Sequence, residues 1–200
     1  MPELKTILEA VLLAAGEPLA PDRLLSVFPE AERPDRETLR AALAELAADC
    51  VGRGVELVEV AGGFRLQVPK AFSPWVSRLR EESGASYSRA LLETLALIAY
   101  RQPITRGEIE AVRGVSLSGG IMKTLQERGW IKVVGHREVP GRPALYATTH
   151  AFLDYFNLKS LSELPPLAAL RDLDVVSAEL ERRTIALAGD SPTPTESSDG

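Results

Sequence analysis

The chain has 200 residues, of which 45% are apolar, enough for one or two packed cores. With 23 Lys and Arg against 28 Asp and Glu, its net charge of −5 argues against a dedicated nucleic-acid binder, whose affinity draws on a concentrated basic face. No run reaches the roughly 20 apolar residues that span a bilayer, acids at Glu3 and Glu9 stand in place of a basic leader, and a lone cysteine, Cys50, makes neither an internal disulfide nor a metal cluster, so a reducing cytoplasm is the expected setting.

From the N-terminus, Leu4, Ile7, Leu8, Val11, Leu12 and Ala15 follow the spacing of a helix with one buried stripe. Leu13 widens the apolar arc. That fits a well-covered core helix or, alternatively, a homodimer face containing Leu4, Leu8, Val11 and Leu12. Pro21 suits the first turn of a short second helix through Leu24 and Leu25. Arg36 to Cys50 predicts a third, with Leu39, Ala42, Leu43, Leu46 and Cys50 as its apolar stripe. Val55 to Val60 and Phe64 to Val68 alternate as strands around Ala61-Gly62-Gly63, a short hairpin wing. Pro69 to Leu79 predicts a connecting helix with Phe72, Val76 and Leu79 on one side, and residues 81–87 a polar linker.

The layout then repeats. Ala90 to Tyr100 is apolar on nearly every face, which suits a helix buried in a small core. Thr105 and Glu108 have capping-box spacing for a second helix. Ser118 opens a third, with Ile121 and Leu125 on one face and Gly129 placed to stop it in the left-handed region. Trp130 to Val134 and Ala144 to Thr148 read as strands around HREVPGRP, and His150 to Phe156 as a closing helix that buries Phe152 and Phe156. Glu17-Pro18-Leu19 matches Gln102-Pro103-Ile104, and Ile7-Leu8-Glu9 matches Leu91-Leu92-Glu93, so the halves read as an ancient duplication.

The expected fold is therefore mainly α with small β wings (α+β): two tandem winged-helix domains at residues 1–80 and 88–167. A thin stripe over residues 168–188 predicts a helix ordered by a partner, and residues 189–200 have nothing to bury and are expected to be disordered. Charge divides unevenly. Residues 1–87 carry −4, residues 88–150 carry +4, and residues 151–200 carry −5.

No residue set carries catalytic chemistry. His136 and His150, the only histidines, have no second ligand at helical spacing, so no metal is expected. Gly62-Gly63 and Gly119-Gly120 lack the lysine and hydroxyl of a phosphate loop, and Glu81-Glu82 and Glu108/Glu110 lack an apolar pocket to raise one pKa. No cofactor and no enzyme activity are expected. The third helices also offer little to base edges: Arg36 and Arg40 are offset by Glu37, Glu45 and Asp49, while Lys123, Gln126 and Arg128 stand beside Glu127. Phosphate contact through Arg106, Arg113, Lys123, Lys132, Arg137 and Arg142 keeps a winged-helix transcription regulator as the alternative.

The segments ALLETLALIAYRQPITRGEIEAVRG, LQERGWI and REVPGRPALYATTHAFLDYFNLKSLSELP carry a more specific signal. Over residues 88–167 the chain resembles the bacterial segregation and condensation protein B (ScpB) family, with Trp130 and Asn157 departing from an expected smaller aliphatic residue and glycine. The resemblance implies a non-enzymatic homodimeric subunit of bacterial condensin. Such a subunit binds the central region of the kleisin ScpA, reaches the SMC ATPase through ScpA, meets DNA only indirectly, and belongs to the cytoplasm and nucleoid, away from membranes. Arg106, Arg113, Arg137, Arg142 and Tyr146 are the partner-binding residues that follow from this view, with Pro140-Gly141-Arg142-Pro143 stiffening a turn and, on the docking reading, holding Arg142 and Tyr146 where an acidic or extended segment can bind.

Overall fold

The computed structural model describes residues 3–80 and 87–164, the side chains of residues 79 and 80 excepted. The expected linker, apart from residue 87, the helix over 168–188 and the tail lie outside the described residues.

The first domain opens with α1 (Leu4–Ala15), which stops at Gly16 with φ 65°, a left-handed conformation that costs glycine little. Next come α2 (Pro21–Leu25), with proline in its first turn, and α3 (Arg36–Asp49), where the Asp35 carboxylate accepts the Thr38 N–H at 2.7 Å. Leu8, Leu12, Leu24, Leu39, Leu43, Leu46 and Cys50 form the core between them. Strands β1 (Glu56–Val60) and β2 (Gly63–Gln67) pair antiparallel, each within a residue of the expected limits. Leu19 adds a third edge by exchanging 2.9 Å backbone hydrogen bonds with Phe64. This approach requires Gly63, whose φ is 127° and whose Cβ would lie 2.1 Å from the Leu19 carbonyl oxygen.

The expected connecting helix divides into a 3-10 turn, Lys70–Phe72, and α4 (Ser73–Arg80). Of its expected apolar side Phe72 is 38% exposed and Val76 half-buried, and Trp75, outside that side, is 64% exposed.

In the second domain α5 (Arg89–Arg101) buries Leu91, Leu92, Leu95, Ala96, Leu97, Ile98 and Ala99, as its all-round apolar sequence predicts. Strand β3 (Ile104–Thr105) precedes α6 (Arg106–Arg113) and α7 (Gly119–Glu127). Thr105 and Glu108 form the predicted capping box. Gly129, at φ 66°, ends α7 in a Schellman motif: its N–H reaches the Gln126 carbonyl at 2.8 Å, and that of Trp130 reaches Leu125 at 3.0 Å. Strands β4 (Ile131–His136) and β5 (Ala144–Thr148) complete a sheet of order β3-β5-β4, with a bulge between Val133 and Gly135. Ile104 pairs with Tyr146 as Leu19 pairs with Phe64, so both halves of the proposed duplication place the post-proline residue on the second wing strand.

Helix α8 (His150–Tyr155) folds back and buries Phe152, with Phe156 buried just after it. Trp130, only 2% exposed, meets the rings of Tyr155, Tyr87 and Phe156 at 4.6, 5.1 and 5.4 Å, which explains a large aromatic where a small aliphatic residue was expected. Asn157 adopts the positive φ, 54°, that the helix stop requires. Each half is thus a winged helix, three helices closed by a hairpin, and the chain is α+β with two such domains.

Candidate functional site

Glu108 organises the basic surface of the second domain. Its carboxylate accepts the Thr105 N–H and hydroxyl, both at 2.9 Å, and the Arg137 guanidinium at 2.7 Å. Those hydrogen bonds, the Thr105 backbone first and Arg137 last, hold its pKa below the ordinary carboxylate value. Glu110 is held low by the Leu117 N–H first and then by Arg106. Arg106 also donates to the Leu117 carbonyl, so it fastens the loop between α6 and α7. Arg113 is buried against Glu93 at 2.9 Å and ties α6 to α5.

The cations proposed as phosphate contacts are therefore largely neutralised within the chain. Arg106 pairs with Glu110, Arg113 with Glu93, Lys123 with Glu127, Arg137 with Glu108 and Arg142 with Glu138, while Lys132 is exposed on β4. Not all are equally held. Arg142 and Glu138 have side chains 71% and 80% exposed, and such solvated pairs are easily exchanged for another partner. Arg142 also has φ 36° at the wing turn, directly after Gly141 with φ 84°.

The structure divides the five proposed partner-binding residues. Arg113 is internal architecture, because its side chain is only 8% exposed. Arg106 and Arg137 brace loops, and Tyr146 lies half-buried against the core on the central strand. Arg142 alone is both cationic and freely presented. The proposed homodimer face needs a correction: Leu8 and Leu12 are 0% and 3% exposed and pack in their own domain's core, with Leu4 and Val11 half-buried against it. A single periodic stripe looks the same whether it faces a core or a partner. The residue that α1 does present is Leu13, 62% exposed.

Two apolar surfaces escaped the sequence reading. On the second wing Val133, Val134 and Val139 are exposed, and β4 is an outer strand of its sheet. The adjacent Val133-Val134 pair was the available signal, since a strand with one covered face alternates. In the first domain, a groove of about 450 Å³ lies among Cys50, Val51, Leu57, Pro69 and Phe72. Among the described residues no group of three His, Cys, Asp or Glu side chains is placed to hold a metal, and no helix is long and apolar enough to cross a membrane.

This arrangement of two winged helices matches a known family over most of its length. Residues 6–167 fit the model of the segregation and condensation complex subunit ScpB. The chain belongs to the ScpB family. It is 56% identical to a segregation and condensation protein B homolog of Coxiella burnetii, over 88% of this chain and 84% of that one. The crystal structure of ScpB from Mycobacterium tuberculosis is 36% identical, with 78% of this chain and 96% of that chain covered and a TM-score of 0.36. A dimer of an ScpB N-terminal domain complexed with an ScpA peptide is 32% identical over 40% of this chain and 93% of that chain, with a TM-score of 0.36. ScpB proteins are non-catalytic subunits of the SMC segregation and condensation complex, and the chain's role lies there.

Proposed function

We propose that this ScpB works by protein docking: as a homodimer it binds the central region of the kleisin ScpA, reaches the SMC ATPase through ScpA, and acts at the nucleoid with only indirect contact to DNA. One observation carries the reading. Five of the six basic side chains nominated for phosphate contact already hold a carboxylate of their own domain, so DNA would have to displace each of them. A protein partner needs only one such exchange, the solvated Arg142–Glu138 pair at the turn, beside the exposed Val133, Val134 and Val139 of the second wing. Leu13 on α1 is the apolar residue placed for a second copy.

The test is co-elution of the full chain with an ScpA central fragment on size-exclusion chromatography, run beside a DNA mobility-shift assay at low and moderate salt. A stable complex with ScpA and little sequence-dependent shift are expected. Arg142→Glu should weaken ScpA capture at least tenfold without changing the melting temperature. Tight, steeply salt-dependent operator binding without ScpA capture would replace this reading with the transcription-regulator alternative.

A further inference from the structure

The tip of the first wing meets the end of α8 in the other domain, through residues about ninety positions apart in sequence. The Gly62 N–H donates to Asp154 Oδ1 at 2.6 Å, and the Ala61 N–H donates to the Leu158 carbonyl at 3.0 Å. Arg65 reaches from β2 to the Asp154 carbonyl at 2.9 Å and to Asn157 Oδ1 at 2.7 Å. Lys159 closes the edge on Glu59 at 2.5 Å.

Two residues are fitted to this contact. A Cβ on Gly62 would have the Asp154 carboxylate as its three nearest atoms, at 2.7, 3.0 and 3.1 Å, so a larger residue there would push that carboxylate off the Gly62 N–H, whereas nothing in the hairpin itself lies as near. Asn157 stands at a helix stop where glycine would suffice, yet its side-chain oxygen takes the Arg65 guanidinium. The joint is also polar. The two buried apolar clusters share no residue, one spanning positions 8–50 and the other 91–158, so undocking leaves both cores intact.

We infer that the first wing is a reversible latch: Ala61, Gly62 and Arg65 grip Asp154, Asn157 and Leu158 to fix the angle between the two winged helices, and the domains part by breaking these contacts while each stays folded. The exposed Lys159–Glu59 pair makes the closed state sensitive to salt. This device is independent of which partner the wings engage.

Amide hydrogen exchange by NMR on the full chain reads the latch directly. In the wild type at low salt, the Ala61 and Gly62 amides should exchange at least tenfold slower than their intrinsic rates. Asp154→Ala should accelerate Gly62 at least tenfold, and Gly62→Ala should accelerate Ala61, while amides paired between β1 and β2 keep their protection. Intrinsic exchange at both tip amides in the wild type would overturn the latch. So would protection that survives both variants, or protection lost together with that of the whole hairpin, which would mean the wing unfolds instead of undocking.

Discussion

The helix that follows the wing has opposite fates in the two domains. In the second, α8 folds back and buries Phe152 at 0% exposure, building a ring cluster around Trp130. In the first, the corresponding segment leaves Phe72 at the rim of the groove and Trp75 64% exposed, with ring centroids 6.3 Å apart. A duplicated plan was thus closed once and left open once. The closed copy gains aromatic packing, whereas the open copy relies on a leucine core and retains uncovered apolar surface.

The sharpest way to break this comparison is Trp130→Ala. Loss of that ring should cost about 3–5 kcal/mol and melt the second domain well before the first, read as two separated transitions in thermal unfolding followed by circular dichroism. Arg113→Ala should cost about 1–3 kcal/mol by leaving the half-buried Glu93 with only the more exposed Arg89 as its cation, measured as a lower urea midpoint. Gly63→Ala forces a side chain into a positive φ and onto the Leu19 backbone, a strain of about 1–3 kcal/mol. Gly135→Ala, where a Cβ meets nothing within 4 Å, should leave the corresponding unfolding midpoint almost unmoved.

A smaller effect is expected from pH. Glu108 has a folded pKa below its ordinary value, so its contribution is present above the unfolded value and lost as pH falls through the folded one. Stability should decline below about pH 4.3, and Glu108→Gln should flatten part of that slope in melting temperature against pH. Trp75→Ala, too, is expected to change stability by less than about 0.5 kcal/mol in the same urea titration. A large loss there would mean that the first domain is closed by its ring after all.

Much of the fold was legible because its signals are local. The Thr105–Glu108 box, the Gly129 stop and the positive φ of Asn157 each depend on a few neighbouring residues, and each is present. The duplicated Pro-Leu and Pro-Ile steps likewise announced equivalent places. What could not be read was whatever depends on distant partners. Arg106, Arg113 and Arg137 looked like available cations until the fold brought Glu110, Glu93 and Glu108 to them. The inward direction of Leu8 and Leu12 was equally hidden, since 3.6-residue periodicity marks a covered face without saying what covers it. Asp154 meeting Gly62 has no signature in either segment alone.

The position of Glu108 has one more consequence. Because one carboxylate clasps both the first turn of α6 and the arginine that opens the turn of the second wing, a pull on that turn is delivered to the start of a helix. The hairpin is less a loose flap than a lever with its fulcrum at that carboxylate, and whatever seizes its end tugs on the domain's framework.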